Sequence, residues 1–302
     1  MRLLHFYLEL CTPYSVLRTV FMGGEMVTRE FQDKKMIIWR VRGFFNLALK
    51  ELAEQGFETA SIRDIAYART MSNPESPINT NGSWTAEAFN YFPSKKILVA
   101  SKDYNILLKE SDKAVESHRA KTDFFLTDEY IEKLETVASE DEWKKPAERR
   151  VFVLREKGLF SIPVKEFAKN ELTVFLFKDM ATQYANFLLR EGIDKVSVLL
   201  AKPKDKAFAK DLWFSRLSGG SELDGGYYNF DQENNLRGSG TSEPTGPIII
   251  KKDEKQEDDE MLDKKIKLAL DRGFKFEYKG KIFFPIDKKE IIELIEEEKN
   301  KK

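Results

Sequence analysis

The residues LTVFLFKDMATQYANFLLREGIDKVSVLLA at 172–201 decide how the rest of the chain is read. Residues 172–177 are an almost continuous apolar run rich in aromatic and β-branched types, the pattern of a strand covered on both faces. Asp179 follows as a candidate helix cap, Phe187 and Leu188 mark an amphipathic helix, and Gly192 is a stop signal. Residues 196–201 (VSVLLA) make a second buried strand. Strand, helix and strand within about 30 residues predict a βαβ unit with parallel strands and a right-handed crossover.

Upstream of this unit, 150–154 and 159–164 flank Glu156-Lys157-Gly158 and predict a hairpin. Another is expected at 96–109, around Lys102-Asp103. Helices are expected at 112–120 and 128–138, the second with Thr127 or Asp128 as cap and acids in its first turn. The charged stretch 139–149, with Pro146, is a candidate boundary. Between residues 34 and 52, Ile37, Val41, Phe44, Phe45, Ala48 and Leu52 recur on one face of a 3.6-residue repeat, so a helix is expected there. A shorter helix is expected at 59–69, then an exposed loop at 70–83 that contains two prolines and Asn81-Gly82.

Downstream, the character changes. Between Gly219 and Gly246 lie seven of the sixteen glycines, and residues 251–260 carry six acids against three lysines. Such a stretch reads as a long flexible linker. Beyond it come a helix at 260–272, a hairpin around Lys279-Gly280 and a Glu/Lys-rich helix at 287–299. The spacing from Gly158 to Pro163 resembles that from Gly280 to Pro285, which would make two related hairpin modules. The fold class is therefore α+β or mixed α/β. Residues 1–93 form a mainly helical part and 94–213 a central α/β domain with hairpin and βαβ unit. A flexible linker spans 214–260, and a C-terminal helix-hairpin-helix piece spans 261–302.

Composition limits the function. Fifty basic residues meet 51 acidic ones, so net charge supplies no global pull toward nucleic acid or an anionic membrane. One cysteine, Cys11, rules out an internal disulfide framework, and two histidines leave little for zinc. Residues 3–22 are apolar but interrupted by His5, Glu9, Pro13 and Arg18, and no membrane span is expected. Gly23-Gly24-Glu25 ahead of Met26 fits the translation of a purine-rich ribosome-binding site. A start at Met26 or Met22 is one reading, and no function is placed on Cys11 or His5.

The motif search is mostly negative. There is no Walker phosphate loop, and the turn after 172–177 is Lys178-Asp179-Met180 rather than glycine-rich. His118 lies in a polar helical stretch without a nucleophile elbow and reads as a solvated surface residue. No cofactor is implied. A recognition loop is expected at Asp224, Tyr227, Tyr228, Asn229 and Asp231, where tyrosines offer contact area at low entropic cost and glycines let the backbone adapt. Lys34, Lys35, Arg40, Arg42 and Lys50, with no acid among residues 34–50, form a candidate basic surface.

Three functions follow in order. The first is a non-catalytic interaction or structural protein of the cytoplasm, its partner a protein. The second is an enzyme with loop-borne carboxylates (Asp224, Asp231, Glu233), and the third a nucleic-acid binder using residues 34–50.

Overall fold

The computed structural model describes residues 19–22, 25–217, 221–226, 230, 233–240, 248–249, 276–278 and 281–283. The chain divides into two units, Met1–Gly240 and Thr241–Lys302. In the first, strands β1 (Thr19–Met22), β2 (Glu25–Gln32) and β3 (Ile37–Gly43) precede helix α1 (Phe45–Glu54), β4 (Glu58–Thr59), α2 (Ile62–Met71) and α3 (Pro77–Thr80). Next come β5 (Ser83–Tyr91), β6 (Ile97–Ala100), α4 (Ile106–Lys109), α5 (Ser111–Arg119), β7 (Phe124–Phe125) and α6 (Asp128–Asp141). Then follow β8 (Val151–Leu154), β9 (Leu159–Pro163), α7 (Val164–Phe167), α8 (Glu171–Phe177) and α9 (Ala181–Arg190). Strands β10 (Lys195–Leu200), β11 (Phe208–Phe214), β12 (Ser221–Gly225) and β13 (Asn234–Gly240) complete the unit.

These strands form one mixed 13-stranded sheet, in the order β1-β2-β3-β13-β5-β11-β12-β10-β9. Strands β6 and β8 branch from β5, β4 pairs with β13, and β7 pairs with β11. The expected helical N-terminal part is not there. Residues 37–43 are a strand between β2 and β13, and the helix begins only at Phe45. Ile38 faces one side of the sheet and Val41 the other, so apolar residues spaced for a helix also serve a strand buried on both faces.

The βαβ unit fails for a related reason. Residues 171–177 are helical, capped by the Asn170 side chain, which accepts from the N–H groups of Leu172 and Thr173. Leu172, Thr173, Phe175, Leu176 and Phe177 are all buried, and a helix enclosed on nearly every side carries no amphipathic period to distinguish it from a strand. Asp179 caps nothing in α9; its carboxylate pairs with Arg63 at 2.8 Å.

Strands β8 and β9 exist but do not form a hairpin, because β8 pairs with β6 and β9 with β10. Only β6 of the expected 96–109 hairpin is extended. The link 155–158 still carries information. It spans at most about 17 Å over five peptide steps, whereas the run β8-β6-β5-β11-β12-β10-β9 laid flat would be about 29 Å wide. This run therefore curls. One face is covered by α2, α7, α8 and α9 through Ile65, Phe167, Phe175 and Tyr184. The opposite face is covered by α1 and α5 through Phe45, Leu52 and Val115, and by α6 through Leu134 and Val137 against β6 and β8.

The largest correction lies at 214–260. Instead of a linker, 221–225 and 234–240 are sheet strands, and β13 sits between β3 and β5. Its glycines allow close packing. A Cβ on Gly238 would lie 2.6 Å from the Leu52 side chain.

In the second unit, β14 (Ile248–Ile249) pairs parallel with β15 (Phe276–Tyr278), and β15 pairs antiparallel with β16 (Lys281–Phe283). The helices expected at 260–272 and 287–299 lie outside the described residues. The two hairpin modules differ, since β15 and β16 pair with each other whereas β8 and β9 do not. Among the described residues, no helix is long and apolar enough to cross a membrane.

Candidate functional site

Strand β12 is antiparallel to β11, which is antiparallel to β5, and β13 is parallel to β5. Strands β12 and β13 therefore run in the same direction with β11 and β5 between them. Their connection, 226–233, has to cross the sheet, as parallel strands require. Phe230 fixes this crossing. It is fully buried, 4.5 Å from the Phe45 ring, 6.1 Å from Trp84 and 4.9 Å from His118. His118 is thus a buried residue rather than a solvated one.

The residues of the expected recognition loop fall on this strap. Asp224 is buried in β12, and its Oδ1 accepts from the Gly226 N–H at 2.8 Å. Tyr227, Tyr228, Asn229 and Asp231 lie outside the described residues, flanked by Gly226 and Phe230. A Cβ on Gly225 would stand 2.2 Å from the Phe89 ring and 2.7 Å from Tyr91 Oη, so the strap leaves the sheet where only glycine fits.

The candidate basic surface is dispersed by the strand at 37–43. Lys34 and Lys35 sit exposed on the β2–β3 turn, where Asp33 Oδ1 accepts from the N–H groups of Lys35 and Met36. Arg40 is half-buried, 3.2 Å from Glu30, and Arg42 is exposed. Lys50 is exposed on α1, which packs against the opposite face of the sheet from Ile38. The five cations share no helix face.

Two polar clusters escaped the sequence reading. Arg237, fully buried in β13, donates from Nε to Glu30 at 2.5 Å and from its terminal nitrogens to the carbonyls of Pro77 and Asn81. Arg69, fully buried in α2, donates to the carbonyls of Ile78 and Ser215 and lies 4.0 Å over the Phe214 ring. Together they fasten the 77–81 segment to the sheet, where the sequence suggested an exposed loop. Isolated arginines carry no positional signal, so sequence alone could not reveal them.

The second cluster lies at a bulge. Strands β5 and β11 pair from Tyr91–Phe208 to Ala88–Asp211 and resume at Trp84–Trp213, so Thr85, Ala86 and Glu87 face Leu212 alone. The displaced groups find other partners. Ala86 N–H donates to Ala60 O, Asn105 Nδ2 to Ala86 O, and Thr85 Oγ1 to Leu212 O. Glu87 accepts from the Ile62 N–H at the start of α2. Burial pushes its carboxyl up to about 7. Burial also holds Asp211 well above the usual carboxylate range, and its Oδ2 has no hydrogen-bond partner among the described residues.

Several connections meet at one end of the curled sheet. Tyr91 stacks on Phe208 at 4.9 Å, donates from its hydroxyl to Gly225 O, and accepts from the Ala201 N–H. Leu154 and Tyr91 both pair with Ile97, and Gly158 O accepts from the Leu200 N–H. The β5–β6 turn, the β8–β9 link, the β10–β11 loop and the start of the strap therefore emerge together.

Among the described residues, no group of three or more His, Cys, Asp or Glu side chains is placed to hold a metal. A shallow depression beside α4 and α5, lined by Ile106, Lys109 and Asp112 among others, contains none of the loop carboxylates.

No family model matches the chain, and no curated protein matches it. It is similar to a solved structure described as "Accommodation of massive sequence variation in Nanoarchaeota by the C-type lectin fold". The two are 14% identical, with a TM-score of 0.51, over 70% of this chain and 100% of that one. At that identity the likeness is one of fold.

Proposed function

We propose that this chain is a non-catalytic binding protein whose recognition surface is the strap between β12 and β13, with Tyr227, Tyr228, Asn229 and Asp231 as contact residues and a protein as partner. The observation that carries this reading is the anchoring on either side of the tyrosines. Asp224 holds Gly226, and Phe230 is buried beneath α1 and α5. A connection pinned at both flanks tolerates side-chain change between them without loss of the core. The fold likeness supports the same reading, because the neighbour is a C-type lectin fold that accommodates massive sequence variation.

The enzyme reading is weaker. Asp224, one of its three carboxylates, is buried in a strand and engaged by the backbone. The test is a library randomised at 227, 228, 229 and 231, displayed and selected against one chosen target protein. The binding reading expects most members to melt within a few degrees of the parent and selection to yield specific binders. Widespread unfolding, or no enrichment from a folded library, would end it.

A further inference from the structure

Of the five cations read as a basic surface, Arg40 and Arg42 alone share a sheet face. They stand two residues apart on β3, opposite Arg237 and Asn235 of β13, on the side where Ile38 packs. Strand residues so spaced hold their side-chain stems about 7 Å apart. A bulge in β2 adds one carboxylate. Arg29 pairs with Trp39 and Phe31 with Ile38, which leaves Glu30 as the extra residue. Glu30 serves two guanidinium groups, Arg237 through Oε2 at 2.5 Å and Arg40 through Oε1 at 3.2 Å. Arg69 lies beside Arg237, and both donate to the carbonyl of Asn81. Four guanidinium groups therefore gather around one carboxylate, and among the described residues no other acid is paired with any of them. Burial falls along the row: Arg69 and Arg237 are fully enclosed, the Arg40 side chain keeps 17% exposure, and Arg42 is exposed. Among the described residues Arg40 makes no hydrogen bond, so its terminal nitrogens are open, and Arg42 makes neither a hydrogen bond nor an ion pair. Burial holds the Arg40 guanidinium below its ordinary value; Glu30 opposes that shift, and repulsion from Arg237 and Arg42 adds to it.

We propose that Arg40 and Arg42 bind a phosphoryl dianion, each donating from its terminal nitrogens to the phosphoryl oxygens while Arg69 and Arg237 add charge from within the core. The planar fork of arginine matches two oxygens of a tetrahedral oxyanion at about 2.8 Å. Stems about 7 Å apart let two forks close on one such group from either side. The ion pair with Glu30 holds Arg40 in place before the anion arrives, so less entropy is lost on binding. A dianion offsets more of the excess charge than a single carboxylate does, and this favours phosphoryl over a monovalent acid. The subsite takes one phosphoryl group, free or carried on a protein. It is smaller than the extended basic surface that the sequence suggested, and it does not depend on the strap tyrosines.

The experiment is phosphorus NMR of inorganic phosphate titrated with the full chain, with sodium chloride holding the ionic strength constant. The parent is expected to give saturable exchange broadening of the phosphate resonance. Arg42→Gln, at an exposed position, weakens binding about tenfold with an unchanged melting temperature. Arg42→Lys keeps part of the affinity, because an ammonium supplies charge without the fork. Arg40→Lys keeps a cation beside Glu30 and weakens binding several-fold. A phosphoserine peptide of otherwise uncharged sequence is then used as competitor. Competition at least tenfold stronger than that of free phosphate assigns the group to a partner protein, and equal competition assigns the free anion; both uphold the subsite. Tyr227→Ala with Tyr228→Ala leaves phosphate binding intact, so this proposal and the strap reading fail separately. An absence of saturable broadening overturns the proposal, as does an Arg42→Gln variant that binds like the parent. Acetate that displaces phosphate at equal concentration also overturns it, because the pair would then be reading negative charge alone.

Discussion

Replacing Glu87 with glutamine should remove a specific pH dependence of stability. The carboxyl sits in the β5 bulge, accepts from the first N–H of α2, and titrates near 7 instead of the ordinary 4.5. Desolvation is the main cause, and the nearby Asp64 carboxylate adds to it; Asp211 and Lys178 are its other charged neighbours. As pH rises through 4.5, the unfolded chain releases this proton while the folded chain keeps it until about 7. Folding stability therefore falls across that window. A shift of about 2.5 units corresponds to at most about 3 kcal/mol. Glutamine keeps the oxygen that accepts from Ile62 and removes the titration. Urea unfolding followed by circular dichroism at pH 4.5, 6 and 8 measures both proteins. Any fixed cost of the amide cancels between pH values, and loss of the Glu87 charge also eases ionisation of Asp211, which adds to the variant's relative gain in the same direction. Relative to the parent, the variant should gain 1–3 kcal/mol between pH 4.5 and 8. A difference constant to within about 0.5 kcal/mol over that range would refute the reasoning.

Four further outcomes follow from the packing. Arg237→Leu leaves the buried Glu30 with Arg40 as its remaining cation and releases the carbonyls of Pro77 and Asn81, so it should cost about 2–4 kcal/mol in urea unfolding. Arg237→Lys should recover little, because an ammonium cannot serve those acceptors as a fork. Phe230→Ala empties a fully buried ring site between Phe45 and Trp84 and should cost about 3–5 kcal/mol, with hydrogen exchange at 233–236 accelerating. Gly225→Ala places a methyl against Phe89 and should cost about 1–3 kcal/mol, and a melting temperature within 2 °C of the parent would count against the close approach.

Local signals in the sequence were legible where they act alone. Thr127 caps α6 through its side chain, with Asp128 and Glu129 in the first turn, and Gly192 ends α9 at a positive φ. Strand β10 (Lys195–Leu200) overlaps the apolar run 196–201 read from the sequence. The failures share one cause, the absence of an exposed face. A helix such as α8, buried on nearly all sides, and a strand such as β3, buried toward both layers, lose the contrast on which periodicity depends. Pairing was less legible still. The four-residue link 155–158 suggests a hairpin locally, but the curl of the sheet gives β8 and β9 different partners.

Glycine at 219–246 misled most, and the reason bears on function. In a solvent-exposed segment glycine signals freedom, whereas here Gly225 and Gly238 lie where neighbouring side chains, Phe89 and Tyr91 of β5 and Leu52 of α1, approach the backbone too closely for any Cβ. The same residues therefore lock β12 and β13 into the sheet. A binding loop gains affinity when its flanks are ordered before the partner arrives, since less entropy is lost on contact. Gly226 and Phe230, which flank the proposed contact residues in the sequence, are both held by the sheet and its packing, and this is the physical basis for proposing recognition there rather than at the dispersed cations of residues 34–50.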